Sequence, residues 1–384
     1  MIPIQLDDDK KKKILKLHWV WFWTRLNDKK IIINAQKQTL FQFFNSHLHW
    51  EKKDFKKIVL GDYNDLLNYI NPSNRYFQDF INPNKNSFKK RKNTYTLSDI
   101  MFDSMGYNDF RSGKYQYKPQ SKSKRIKNLN DWNAYTFVKE LKLDVCPYCN
   151  KEYIPIIEEK QTYKGEIDHF FPEAVYPYLS CSLFNFIPSC HTCNHDKNKT
   201  YNMYNSAGQI MLTIYPYKEG FEGKKPDGSV IKHADFKLCP GSGSIFNSKK
   251  VELEYNSASL KDKMVNSNNA FGIEGIYNAC KTELNDVLGS YKKYIMEKQK
   301  CITQTLSAGL VDQLKAYNVP EGLIQQTINE TRQKELESIR LKLLGVPVDG
   351  DGNYVQGEYP FRKFKNDIVD CIDEWVSKKK RGTI

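Results

Sequence analysis

Two Cys-x-x-Cys pairs, separated by 40 residues, constrain the fold of this 384-residue chain more than any other feature. The first pair is Cys146 and Cys149, and the second is Cys190 and Cys193. Four thiolates arranged in two such pairs are the ligand set of a structural zinc site, in which the metal has no open coordination position. The sequence therefore predicts a Zn²⁺ that joins two distant segments and takes no part in chemistry.

The use of cysteine also bears on the compartment. Nine cysteines, an odd number with four in tight pairs, favour a reducing environment over a disulfide framework. The apolar run 17–23 is too short to cross a bilayer and has no cleavage site after it. We therefore expect a cytoplasmic protein without a membrane partner. The other cysteines are interpreted as core residues: Cys181, Cys239, Cys280, Cys301 and Cys371.

The chain carries 59 Lys and Arg against 45 Asp and Glu, a formal net charge of +14. Such a balance favours a polyanionic partner, since clustered cations bind phosphates by releasing counterions. The codon bias of an AT-rich genome also enriches Lys, Asn, Ile and Tyr, so charge alone leaves both explanations open. We treat 84–127 as one polar, basic stretch. Within it, 112–127 is interpreted as an exposed linker or a phosphate-facing loop, with a solvated charge run as the alternative.

Apolar periodicity predicts mainly helical regions on both sides of the central stretch. The run 17–23 fits a strand or a helix, and for its tryptophans burial is favoured over base stacking. The segment 349–353 is a turn that lacks the ligand spacing of a calcium loop. Hairpins are expected within 215–230 and a strand over 251–255. Helices are expected over 37–50, 54–70, 130–143, 270–305, 321–344 and 361–376.

Between the cysteine pairs lies the sequence Glu166-Ile167-Asp168-His169-Phe170-Phe171-Pro172. An aspartate beside a histidine at a strand end combines a hard metal ligand with a group whose ordinary pKa lies near neutrality. Asn185 follows before the second pair, and Asn194 comes directly after the fourth cysteine. A satisfied structural histidine is the alternative for His169, and His191 is taken as a surface residue.

The order Cys-x-x-Cys, Asp-His-x-x-Pro, Asn, Cys-x-x-Cys-Asn-x-x-Lys resembles the zinc-knuckled HNH endonucleases, over 54 residues from 146 to 199. The resemblance implies a ββα-metal, treble-clef-like unit that hydrolyses phosphodiester bonds. It implies that His169 is the general base and that Asn185 orients it. It further implies that Asp168 and Asn194 are ligands of a single Mg²⁺ or Mn²⁺ ion.

The sequence departs from the family pattern in two places. Many members carry histidine after the fourth cysteine, and here His195 stands one position later, so either Asn194 or His195 completes the catalytic metal site. The usual glycine-rich loop after the proline is replaced by 173–184, which leaves the placing of Asn185 open. Lys197 and Lys199, on the helix that begins at the second pair, are expected to contact phosphates, with a solvated helix face as the alternative.

Together these patterns predict an α+β protein with three regions: a mainly helical region with a basic linker (1–130), an HNH nuclease domain (131–205) and a mainly helical region (206–384). The expected substrate is DNA, and RNA is not excluded. A looser resemblance in layout, to HNH proteins of bacterial defence loci, implies an ATPase or sensor partner. The alternatives are a non-catalytic zinc module that binds nucleic acid and a structural subunit whose knuckles hold a protein interface.

Overall fold

The structure is a computed structural model. It describes residues 1–81, 87–90, 93–113, 132–158, 162–163, 165–200, 203–241, 244–304, 320, 322, 326 and 360–381. The predicted linker 112–127, the helix 321–344 and the turn 349–353 therefore lie wholly or almost wholly outside the described residues.

Helices dominate the described chain. Short 3₁₀ turns occur at Pro177–Leu179, Leu183–Asn185 and Ile245–Asn247. The α-helices are α1 Asp8–Asp28, α2 Leu40–Leu48, α3 Lys52–Leu60, α4 Tyr63–Tyr69, α5 Arg75–Ile81, α6 Leu97–Ser104, α7 Tyr107–Ser112, α8 Ala134–Leu141, α9 His191–Thr200, α10 Lys261–Phe271, α11 Ile273–Ala279, α12 Lys281–Gln304 and α13 Arg362–Lys380.

Within the described residues, the strands form separate two-stranded sheets: β1–β2, β3–β4, β5–β6, β7–β8, β9–β10 and β11–β12. Their bounds are β1 Lys30–Ile33, β2 Gln36–Thr39, β3 Ser87–Lys90, β4 Asn93–Thr96, β5 Ile156–Ile157, β6 Thr162–Tyr163, β7 Glu166–His169, β8 Phe186–Ser189, β9 Glu222–Lys224, β10 Val230–Lys232, β11 Ala234–Cys239 and β12 Lys250–Tyr255. Helices with small separate sheets confirm the predicted α+β class.

The chain forms two compact units, one of residues 1–202 and 214–223 and the other of residues 203–213 and 224–384. Both cysteine pairs lie in the first unit. These two units do not test the division into three regions predicted from the sequence, which stays a prediction.

The tryptophan-rich run is part of helix α1, which answers the question of strand or helix. Residues three and four apart line one buried face of this helix, as expected for an amphipathic helix. Trp21 is buried, whereas Trp19 and Trp23 stack on each other at 5.5 Å on the half-exposed flank. The buried face comprises Ile14, Leu17, His18, Trp21, Phe22, Arg25 and Leu26.

His18 is the polar centre of this buried face. Its Nε2 lies 2.9 Å from the carbonyl oxygen of Cys181, and its Nδ1 accepts a hydrogen bond of 3.2 Å from Trp132 Nε1. These two partners define a neutral imidazole that donates at one nitrogen and accepts at the other. Burial lowers the pKa of His18 to about 4. Helix α1 is thereby attached to the segment between the two cysteine pairs.

The description of 84–127 as one polar stretch is wrong for 97–112, which forms helices α6 and α7. Thr96 and Asp99 form a capping box that starts α6. Met101 and Phe110 are fully buried. Gly106 separates the helices at φ +109°, a conformation that favours glycine, and the Arg25 guanidinium packs against it. The apolar residues of these two helices are few and lie between basic clusters. The composition of the stretch therefore did not indicate the helices.

Several other predicted elements are confirmed with shifted ends. Helix α2 buries its apolar residues at the expected positions but begins only at Leu40, since 36–39 pairs in a sheet. The predicted helix 54–70 is divided by Gly61 into α3 and α4. Helix α8, strand β12 and helix α13 fall where expected, and β9 and β10 lie in or next to the turn-rich stretch 215–230.

The second unit is built around the β11–β12 pair and helix α13. Phe236 on β11 contacts Tyr277 of α11 and Phe364 of α13. Asp367, which is almost fully buried, accepts hydrogen bonds from Lys363 and from the backbone N–H of Phe236. These contacts hold α13 against the sheet. In the described parts of both units, no helix combines the length and apolar character that a membrane span requires.

The buried His18 predicts a stability that depends on pH. Because the folded-state pKa of about 4 lies below the ordinary 6.5, protons bind preferentially to the unfolded chain between these values. Stability is therefore full above pH 6.5 and falls as the pH drops towards 4, by up to roughly 3 kcal/mol. Urea denaturation at pH 7.5 and 4.5 measures this loss.

A His18→Gln variant is the control, because its amide can still donate to Cys181 and accept from Trp132. We expect the variant to lose less stability than the wild type over the same pH interval. Equal losses in the two proteins would contradict the role given to His18.

Candidate functional site

The four cysteines of the two pairs converge in the structure. Their Sγ atoms all lie within 4.8 Å of one another, and all four side chains are buried. The Sγ atoms of Cys149 and Cys190, one from each pair, are 3.9 Å apart. Ligands about 2.3 Å from a tetrahedral zinc would stand about 3.8 Å from one another. The four thiols can therefore hold one metal ion without rearrangement of the fold.

The backbone supports negative charge on these sulfurs. The N–H groups of Lys151 and Cys193 donate to the Sγ atoms of Cys149 and Cys190, both at 3.4 Å. Hydrogen bonds from the other thiols lower the pKa of Cys149 well below its ordinary value, whereas burial raises that of Cys146. A tight turn with Asn150 at φ 52° closes the first pair.

Strands β7 and β8 form an antiparallel pair that ends directly at the second cysteine pair. Glu166 stands opposite Ser189, and His169 stands opposite Phe186. Helix α9 begins at His191, inside the second cysteine pair. The segment from β7 to α9 is thus a strand–strand–helix unit whose strand register is tied to the position of Cys190.

Asp168 lies on β7 and is 1% exposed. Its carboxylate accepts a hydrogen bond of 2.7 Å from the hydroxyl of Tyr148, which stands between the two cysteines of the first pair. This contact joins β7 directly to the first knuckle. Tyr148 had no predicted role; the signal available was its position inside the Cys-x-x-Cys sequence.

Glu166, two residues before Asp168 on the same strand, joins β7 to helix α9. Its carboxylate lies 2.5 Å from Asn194 Nδ2 and 2.8 Å from His191 Nδ1. Burial would raise the pKa of Glu166, but the hydrogen bonds from Asn194 and His191 outweigh it and hold the pKa below its ordinary value. The alternation of side chains along a strand could have placed Glu166 on the face of Asp168. No role was predicted for Glu166.

His169 ends β7 and is 8% exposed. Its Nε2 lies 2.9 Å from the carbonyl oxygen of Ser180 and 3.5 Å from the carboxylate of Glu173, whose pKa is raised by burial. The ring of Tyr107, on helix α7, meets the imidazole edge to face at 4.4 Å between centroids. Position and tautomer of the imidazole are therefore set by the segment between the cysteine pairs and by α7.

Asn185 is completely buried and spans the loop that connects β7 to β8. Its Oδ1 accepts from the backbone N–H of Phe171 at 2.7 Å. Its Nδ2 donates to the carbonyl oxygens of Phe171 at 3.0 Å and Leu179 at 3.2 Å. Although no glycine-rich loop is present, Asn185 holds the loop next to His169 in one conformation.

The structure thus places Asp168, His169 and Asn185 on one hairpin, with Asn194 on the helix that follows. His195 is exposed and stacks on His191 at 5.4 Å between ring centroids, and His191 is exposed as expected. Lys197 and Lys199 belong to α9, but their side chains are not among those described. Apart from the four cysteines, no set of three His, Cys, Asp or Glu side chains converges as metal ligands in the described chain.

Of the remaining predicted core cysteines, Cys181 is fully buried, while Cys239, Cys280 and Cys371 are partly exposed. The side chain of Cys301 is not described. Comparison of the chain with family models, with curated proteins and with solved structures finds no match. Function is therefore inferred from the residues and their geometry.

The three hydrogen bonds of Asn185 predict a large effect of its removal. In an Asn185→Ala variant, three buried backbone groups lose their partner, and we expect the free energy of unfolding to fall by about 3 kcal/mol. Urea denaturation measures it. Asn108→Ala, at an exposed helix position, is the matched control and should change stability by less than about 0.5 kcal/mol. Similar losses in the two variants would show that Asn185 does not hold the loop.

Proposed function

We propose that this chain is a metal-dependent endonuclease of the HNH type that hydrolyses phosphodiester bonds in DNA. The observation that carries the proposal is the position of His169, at the end of a strand in a strand–strand–helix unit framed by four converging cysteines. This geometry agrees with the motif order of the sequence, in which the same histidine matches the general base of the family.

The four cysteines are the proposed zinc site. Their number, burial and mutual distances suit a tetrahedral ion with four thiolate ligands. A metal held by four thiolates has no position open to substrate, so its contribution is to join the two knuckles. The residues between the knuckles then carry the chemistry.

The chemistry of the proposed base follows from its contacts. A neutral imidazole that donates from Nε2 to the Ser180 carbonyl carries its basic lone pair on Nδ1. His169 would take the proton from the attacking water with this nitrogen. Asn185 supports the base indirectly, because it holds the loop that contains the Ser180 carbonyl and Phe171.

Asp168 and Asn194 are the proposed ligands of a catalytic Mg²⁺ or Mn²⁺, and their oxygen atoms suit such hard cations. With Nδ2 donating to Glu166, Asn194 has its carbonyl oxygen as the ligating atom. His195 is the less favoured candidate, since it stacks on His191 at the exposed side of α9. When bound, the ion would supply positive charge against the phosphate and the departing oxyanion.

The net charge of +14 supports a polyanionic substrate, and Lys197 and Lys199 on α9 remain the proposed phosphate contacts. An ATPase or sensor partner, and a role in anti-phage defence, also remain proposals that follow from the layout of the sequence. Co-purification with an ATPase subunit would support them, and strong cutting by the isolated chain would count against restraint by a partner.

The proposed activity is tested by incubating supercoiled plasmid with the purified chain and Mg²⁺, Mn²⁺ or EDTA. We expect cutting that EDTA abolishes and that His169→Ala reduces by on the order of 10²- to 10⁴-fold, the usual contribution of a general base. Zinc content of this variant should stay close to that of the wild type. Its melting transition should fall, because the variant loses a buried ring and the hydrogen bond to the Ser180 carbonyl, so cutting is compared at a temperature at which both proteins are folded.

His233→Ala removes a partly exposed histidine of the second unit and is the matched control, expected to cut like the wild type. Cutting that survives in His169→Ala would refute the catalytic role of His169. DNA binding that is insensitive to EDTA and occurs without cutting would instead favour the non-catalytic zinc module.

A further inference from the structure

A cavity of about 290 Å³ in the first unit is lined by aromatic rings and two lysines, and the proposed nuclease chemistry makes no use of it. Tyr63 and Tyr215 stack at 4.3 Å between centroids in its wall. Phe184 and Tyr217 add a second pair of rings, 5.5 Å apart and nearly perpendicular. We name this space the tyrosine cavity.

Two cations are placed over these rings. The Lys11 ammonium lies 5.5 Å from the centroid of Phe184, and the Lys218 ammonium lies 5.5 Å from that of Tyr63. Within the described residues, neither ammonium forms an ion pair. The carboxylate in the lining, Asp62, accepts the N–H groups of Asn64 and Asp65 at the start of α4. The residues that line the cavity thus carry two ammonium groups and one carboxylate, and neither ammonium is paired with that carboxylate.

The walls of the tyrosine cavity also support the candidate site. The hydroxyl of Tyr215 donates to the carbonyl oxygen of Phe184 at 2.7 Å, and that of Tyr217 donates to the carbonyl oxygen of Phe186 at 2.9 Å. Phe184 and Phe186 are the chain neighbours of Asn185. A ligand that moves these tyrosines would therefore act on the backbone that holds the loop beside His169.

We propose that the tyrosine cavity binds a nucleoside phosphate, with the base against the aromatic rings and the phosphate on Lys11 and Lys218. Aromatic walls can contact the flat apolar faces of a base, and a lysine ammonium group binds a phosphate oxygen. The volume suits a single nucleotide unit better than a larger cofactor. The ligand comes either from solution as a mononucleotide or from a nucleic-acid strand as one of its units.

Calorimetric titration of the zinc-loaded full chain tests this binding in the absence of Mg²⁺ and Mn²⁺, so the result does not depend on cleavage at His169. The probes are deoxyadenosine monophosphate and a short single-stranded oligonucleotide with a 5′ phosphate, with deoxyadenosine and inorganic phosphate for comparison. We expect deoxyadenosine monophosphate or the oligonucleotide to bind. Binding should weaken by at least about tenfold in a Lys11→Gln/Lys218→Gln variant, which loses two charge-assisted contacts.

Lys12→Gln/Lys16→Gln is the matched control, because it removes the same charge from exposed positions of α1 outside the cavity lining. We expect less than about a twofold change in this variant. Binding of the mononucleotide identifies a soluble ligand, whereas binding of the oligonucleotide alone identifies a unit of a strand. The proposal would be overturned if both double variants weakened binding equally or if neither probe bound. Equal affinity for deoxyadenosine and its monophosphate would also overturn it.

Discussion

The convergence of four thiols from two segments 40 residues apart is the constraint on which the rest of the candidate site depends. Cys190 follows β8 directly, and the opposite strand begins with Glu166. A shift of this pair by one residue would turn Asp168 and Glu166 away from Tyr148 and α9. The thiol cluster and the strand register therefore support each other, and each fixes the positions of the polar residues between the knuckles.

The loop that connects β7 to β8 depends on the helices around it. Besides His18 at the Cys181 carbonyl, Ser182 Oγ donates to the Ile58 carbonyl at 2.6 Å. The Tyr178 hydroxyl donates to the Tyr69 carbonyl at 2.9 Å. Buried contacts from α1, α3 and α4 thus hold the segment that contacts His169. The N-terminal helices are part of the support of the site, which accounts for their place in the same compact unit.

Motif spacing and apolar periodicity predicted the residues that belong to a recognisable sequence pattern. The cysteine pairs, the strand end at His169 and the buried face of α2 are of this kind. Partners that depend on tertiary contacts could not be predicted. Tyr107 meets His169 from a helix hidden in a basic stretch, and the contact between Glu166 and Asn194 requires the register of β7 and β8. A sequence pattern identifies a residue of such a tertiary contact only when that residue itself belongs to the motif.

We propose that one strand–strand–helix unit holds a zinc site of four thiolates and a separate site of oxygen ligands for the catalytic metal. Measurement of zinc content together with Mn²⁺ binding by electron paramagnetic resonance tests it most directly, in the wild type and in Asp168→Asn, which keeps an acceptor for Tyr148. We expect one zinc per chain in both proteins and one bound Mn²⁺ in the wild type only. Wild-type protein without Mn²⁺ binding, or equal Mn²⁺ binding by both proteins, would contradict it.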